Sequence, residues 1–285
     1  MPRFAAPDGT GLYYADDRAD DRSYDGEGLP LLCLPGLTRN GGDFDHVAPH
    51  LPGLRLIRLD ARGRGRSDHA DPATYTALTE AADALALLDH LALPQAAVLG
   101  TSRGGILAMV LAARVPSRLL GVALNDIGPV IEPRGLDAIA GYLGRNPAHK
   151  TYDQAARARA RNWTSFTGVP HARWMHEVRN HYEQGPDGLT IRYDPALRGA
   201  VRAAWDGPQP DLWPLFDALA GLPLCLIRGA GSDLLTRATA DAMARRRPDM
   251  IRAEVPGRGH VPFLDEPESL AALYRWLGQL GWSAP

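Results

Sequence analysis

The sequence predicts an α/β protein built on a mostly parallel sheet with helices on both faces. Three observations carry this. Short apolar runs of four to six residues alternate with longer helical patterns from about residue 29 to 126, and again near the C-terminus. Connections of helix length between such runs are crossovers, and crossovers make neighbouring strands parallel. A chain of 285 residues, 45% hydrophobic and 22% charged, can also bury a large core without disulfides or a structural metal.

Residues 1–29 predict a hairpin turning at Asp8-Gly9-Thr10-Gly11, and the acidic run 16–25 reads as a solvated loop. Strands are expected at 31–34, 54–59, 96–99 and 120–124, each bounded by Gly, Pro or Asp. Between them, Ala82, Leu85, Leu88 and Leu91 recur at helical spacing within 79–91. A second helix over 106–115 must stop before Pro116, which cannot continue it. The alternation resumes with a strand at 224–228, a helix at 238–246, a strand at 251–255 and a terminal helix at 269–280.

Residues 129–214 differ. They hold Trp163, Trp174, Tyr182, Tyr193, Trp205 and Trp213, with helical rather than strand patterning. This stretch reads as a helical cap inserted into a core made of residues 1–128 and 215–285.

Charge and cysteine usage exclude several functions. The 31 basic and 33 acidic side chains nearly cancel, which argues against a nucleic-acid or anionic-membrane partner. Lys150 is the sole lysine, so arginine is this chain's general cation. No run of eighteen apolar residues and no signal-like N-terminus appear, which predicts a cytoplasmic protein. Cys33 and Cys225 each lie inside an apolar run and read as buried thiols, without zinc spacing.

The strongest chemical signal is Gly100-Thr101-Ser102-Arg103-Gly104, directly after the strand at 96–99 and opening the next helix. In that context G-x-S-x-G is a nucleophile elbow. The serine sits on a strained turn, so its flanking glycines must lack side chains. The helix N-terminus then offers free N–H groups to a developing oxyanion. A serine nucleophile needs a base, and His260 lies in the loop after the last strand, on the edge where parallel strands end together. The carboxylate that orients the base is expected from another strand end. Asp233 and Asp126 both qualify by position; we assign Asp233 and read Asp126 as a helix cap or ion-pair partner.

The order Ser102, Asp233, His260 is that of the α/β-hydrolases. The sequence resembles the serine-nucleophile branch of that superfamily over nearly its whole length. Leu34-Pro35-Gly36-Leu37 resembles its oxyanion segment with proline in place of histidine, and Asp60-Ala61-Arg62-Gly63-Arg64-Gly65-Arg66-Ser67 resembles its D-x-R-G-x-G-x-S turn. Gly259-His260 with Glu266-Pro267 resembles its histidine loop. The resemblance implies an eight-stranded sheet with a cap and oxyanion donors at the backbone N–H groups of Leu37 and Arg103. It also implies a serine hydrolase acting on a small acyl substrate, an ester or lactone first. Carbon–carbon bond hydrolysis and acyl transfer are the alternatives on the same fold.

Competing motifs are weak. His176 and His181 are five residues apart, which turns them roughly 140° from each other on a helix and spoils a zinc chelate. Gly63-Arg64-Gly65 lacks the third glycine of a dinucleotide loop. The sequence predicts no cofactor and no metal. The side chain of Arg103 is expected to pair with a nearby carboxylate.

Overall fold

The computed structural model describes residues 2–17, 28–207 and 209–283. Most of the acidic run expected as a loop therefore lies outside the described residues. In chain order, β1 (Arg3–Ala5) and β2 (Gly11–Asp16) form the expected hairpin, with Gly9 at positive φ in its turn. Then come β3 (Pro30–Leu34), β4 (Arg55–Leu59), α1 (Ala77–His90), β5 (Ala96–Thr101), α2 (Arg103–Arg114) and β6 (Leu119–Asn125). The segment that follows holds α3 (Pro133–Tyr142), α4 (Tyr152–Asn162), α5 (His171–His181), β7 (Tyr182–Gln184), β8 (Leu189–Ile191), α6 (Leu197–Trp205) and α7 (Trp213–Asp217). The chain closes with β9 (Leu224–Gly229), α8 (Arg237–Arg246), β10 (Ile251–Val255) and α9 (Pro267–Gln279).

Eight strands form one sheet in the order β1-β2-β4-β3-β5-β6-β9-β10. β3 to β6, β9 and β10 run parallel, and only the N-terminal hairpin is antiparallel. Successive side chains point to opposite faces. On one face Leu32, Leu34, Val98 and Leu124 pack with α1 and α2; on the other Leu31, Cys33, Leu99 and Ala123 pack with Leu273 and Trp276 of α9. Both faces are covered, which is why these strands read as unbroken apolar runs rather than alternating ones. The two cysteines are free and buried, and burial pushes the Cys225 thiol up to about 12 and Cys33 higher still.

Between β6 and β9 the expected helices are present, but a two-stranded antiparallel ribbon, β7–β8, was not anticipated. Its strands are three residues long, too short for a period-2 pattern, and only the turn residues Gly185-Pro186-Asp187-Gly188 mark it. Trp174 of α5 is 2% exposed and packs edge-on against Trp163, Phe166 and Phe263. Phe263 belongs to the loop after β10, so this aromatic cluster fastens the segment to the sheet edge where β5, β6 and β10 end.

Candidate active site

Ser102 stands between β5 and α2 with φ 50° and ψ −114°, a conformation strained for any residue with a side chain. The neighbouring glycines explain how the turn closes. A Cβ on Gly100 would come within 2.5 Å of the Gly104 carbonyl oxygen, and one on Gly104 would overlap the Leu34 carbonyl oxygen of β3. The Ser102 N–H donates to the Asn125 carbonyl at 2.9 Å, pinning the elbow to β6.

His260 Nε2 lies 2.9 Å from Ser102 Oγ. Its loop is shaped by Glu266, whose carboxylate accepts from the N–H groups of Phe263 and Leu264, from Ser269 Oγ and from Arg258 Nε. A Cβ on Gly259 would come within 2.2 Å of Ser165 Oγ, so the loop packs closely there.

The carboxylate behind His260 is Asp126, which corrects the assignment of Asp233. Asp126 Oδ2 lies 2.8 Å from His260 Nδ1, and the residue is wholly buried. Asp126 directly follows β6 at φ 57°, a left-handed turn that aspartate tolerates better than most residues, and this turn aims its side chain along the sheet edge. Oδ1 accepts the Gly229 N–H at 2.8 Å, and Ser232 Oγ donates to Oδ2 at 2.6 Å. Asp233 is exposed and lines the same cavity as Ser102 and His260 without bonding the imidazole. The loop after β9 thus sends its serine, not its aspartate, into the hydrogen-bonded group.

Arg103 is the first residue of α2, where an N–H has no partner inside the helix, and Leu37 lines the same cavity. A buried ion network links the two residues. Arg64 Nε donates to the Leu37 carbonyl at 3.0 Å and its Nη2 lies 2.9 Å from Glu80 Oε1. Arg103 Nε donates to the other Glu80 oxygen at 2.8 Å, the ion pair expected of that side chain. Burial works against the Glu80 charge, but Arg64 and Arg103 outweigh it and hold the carboxyl below its usual range. The rest of the D-x-R-G-x-G-x-S segment is a turn: Asp60 accepts from the N–H groups of Gly41 and Arg66, and Ser67 Oγ donates to the Asp60 carbonyl.

Ser102 borders two cavities. One of about 440 Å³ is apolar, with Ile106, Ile127, Ile139, Val201 and Trp205 in its wall. The other, about 390 Å³, also takes in His260, Thr38, Tyr142 and Trp163. Of the tryptophans singled out in the sequence, Trp163 and Trp205 line these spaces while Trp174 is core.

Asp43, Glu177 and His181 bring possible ligand atoms within 4.8 Å of one another. Arg39 Nη1 already lies 2.9 Å from Asp43 and 3.5 Å from Glu177, so a guanidinium answers those charges.

The comparisons with known proteins bear on the family and the fold. A family model described as the alpha/beta hydrolase fold matches residues 30–267. The chain belongs to the α/β-hydrolase fold family. Among its relatives, a protein of Cupriavidus necator named 3-hydroxybutyrate-oligomer hydrolase is 35% identical over 85% of each chain. The 2-(acetamidomethylene)succinate hydrolase of Mesorhizobium japonicum is 27% identical over 82% of each. A crystal structure of an α/β hydrolase from Novosphingobium aromaticivorans superposes with TM-score 0.87 at 37% identity, covering 98% of this chain and 97% of that one. Family, fold and relatives together make this chain a hydrolase of the α/β-hydrolase fold. None of its helices among the described residues is long and apolar enough to cross a membrane.

Proposed function

We propose that this α/β-hydrolase cleaves a small carboxylic ester or lactone through a serine-bound acyl intermediate, under a cap formed by residues 129–214. The observation that carries the reading is the unbroken relay from buried Asp126 through His260 to the strained Ser102. A carboxylate only accepts, so His260 Nδ1 carries the proton that faces Asp126 and Nε2 is free to take one. Ser102 Oγ attacks the acyl carbon and His260 Nε2 takes its proton. Asp126 holds the imidazole in place and stabilises the imidazolium. The N–H groups of Leu37 and Arg103 receive the oxyanion; loss of one such donor costs ~10²–10³ in rate. His260 then protonates the departing oxygen, and water repeats the sequence on the acyl-enzyme.

The 35% identity to a 3-hydroxybutyrate-oligomer hydrolase makes short hydroxyacid esters the first substrates to try. Carbon–carbon cleavage and acyl transfer use the same relay and are the competing outcomes. The test is labelling by a fluorophosphonate alongside hydrolysis of 4-nitrophenyl butyrate. Both should occur in the wild type and vanish in Ser102→Ala. Label on any other residue, or no ester hydrolysis by a labelled enzyme, overturns the reading.

A further inference from the structure

The cavity that holds His260 continues into a third one. The two share Thr38, Arg39, Tyr142, Asn162 and Trp163 in their walls. The third cavity, about 350 Å³, carries Arg39, Arg145 and Arg159, and its lining among the described residues includes no aspartate or glutamate. Arg39 is neutralised by Asp43 and Glu177. Among the described residues no carboxylate pairs with Arg159 in this way.

Arg159 Nη1 lies 2.8 Å from His181 Nδ1, and Nη2 donates to the Tyr182 hydroxyl at 3.3 Å. Its guanidinium lies 5.0 Å from the Trp163 ring centre and 5.3 Å from that of Tyr182. His181 Nε2 faces Asp43 at 2.8 Å, so Nε2 carries the proton and Nδ1 accepts from Arg159. Burial holds the His181 imidazole below its ordinary pKa despite Asp43, which leaves it neutral between the two ions. Arg159 is thus fixed by two rings and a neutral histidine, with no carboxylate among its hydrogen-bond partners in the described residues. Arg145, exposed at the mouth, donates only to the Gly141 carbonyl among the described residues. A planar guanidinium held by aromatic faces with donors to spare is suited to a carboxylate.

Chemistry decides which part of the substrate meets it. The histidine that takes the serine proton delivers it to the leaving oxygen, so the alcohol portion lies on the His260 side. His260 borders the cavity leading to Arg159 and not the apolar one. The acyl chain therefore points among Ile106, Ile127 and Val201. Asp233, exposed on the wall of the His260 cavity, disfavours a carboxylate stopping there.

We propose that Arg159, assisted by Arg145, forms a carboxylate subsite for the leaving group, so that the preferred substrates are esters whose alcohol portion is a hydroxycarboxylate with its carboxyl free. The proposal rests on the serine-hydrolase reading. The bond from Ser102 Oγ to the acyl carbon forms as the acyl–oxygen bond breaks. The released hydroxy acid takes its proton from His260, and one water then restores the serine and frees the carboxylic acid.

The test compares the butyrate esters of 3-hydroxybutyrate and of the longer 6-hydroxyhexanoate, each with its methyl ester, following release of butyrate, in the wild type, Arg159→Gln and Arg145→Gln. The wild type should favour the free carboxylate by about tenfold or more in kcat/KM, less so at high salt. Arg159→Gln should cut that preference about tenfold, chiefly through KM, and Arg145→Gln by a smaller factor. Should Arg159→Gln not fold, Arg159→Lys and the exposed Arg145→Gln carry the comparison. No wild-type preference, or a preference untouched by these substitutions while 4-nitrophenyl butyrate is hydrolysed, overturns the subsite. A wild type that neither hydrolyses 4-nitrophenyl butyrate nor takes the phosphonate label overturns the underlying reading, and the subsite with it.

Discussion

Ser232 Oγ and His260 Nδ1 meet on one oxygen of Asp126, at 2.6 Å and 2.8 Å. With the Gly229 N–H on the other oxygen, this buried carboxylate is held by three donors from β9 and the loops beyond β9 and β10. It has little freedom to leave the imidazole.

Asp126→Asn should therefore lower kcat for ester hydrolysis by ~10⁴, because an amide in that place favours the wrong imidazole tautomer. Asp233→Asn should change kcat no more than a few-fold. Ser232→Ala removes one of the three donors and should cost about tenfold, the scale of one hydrogen bond. Steady-state rates on 4-nitrophenyl butyrate decide the matter; a silent Asp126→Asn would return the role to Asp233.

Glu80 links the two residues proposed to supply the oxyanion donors, through Arg103 on one side and through Arg64 and the Leu37 carbonyl on the other. Removing its charge leaves the buried Arg64 and the half-buried Arg103 without this anion, and breaking a buried pair costs about 3–5 kcal/mol. Glu80→Gln should lower Tm and also slow phosphonylation of Ser102 in protein that remains folded. A variant that is less stable yet labels at the wild-type rate would confine Glu80 to a structural role.

The same carboxylate predicts an acid limit. Its folded pKa lies below the ordinary value of 4.5, so the network contributes fully to stability above about pH 4.5. That contribution is lost as pH falls through the lower folded value. Chemical denaturation of the wild type should show stability declining below about pH 4.5, with Glu80→Gln flatter over that window. Parallel curves would place the acid sensitivity elsewhere.

Much of this was legible in the sequence, because burial on both sheet faces makes strands such as 31–34 and 96–99 stand out, and because Gly100 and Gly104 are required by backbone contact on either side of Ser102. The acid was not. Asp126 and Asp233 both follow strands between Ser102 and His260, and the left-handed turn that aims Asp126 depends on its N–H meeting the Ile227 carbonyl of β9 at 2.7 Å. That is a tertiary contact, which chain order does not reveal. The far cavity was hidden for a similar reason: Arg159 is one arginine among many until the partners of its neighbours are known.

Trp205 and Trp174 separate substrate selection from packing. Trp205 of α6 lines the apolar cavity beside Ser102, where the acyl chain is expected. Trp205→Ala enlarges that space and should move preference from butyryl toward longer acyl esters, leaving the phosphonylation rate near the wild-type value. Trp174 is 2% exposed among Phe166, Val178 and Phe263. Its replacement by alanine leaves a cavity worth about 3–5 kcal/mol and should lower Tm while reducing all esters in proportion. Acyl-chain profiles over 4-nitrophenyl acetate to octanoate, read beside thermal unfolding, distinguish the two. A Trp205→Ala enzyme with an unchanged profile would move the acyl chain out of this cavity and reverse the side on which the leaving group is placed.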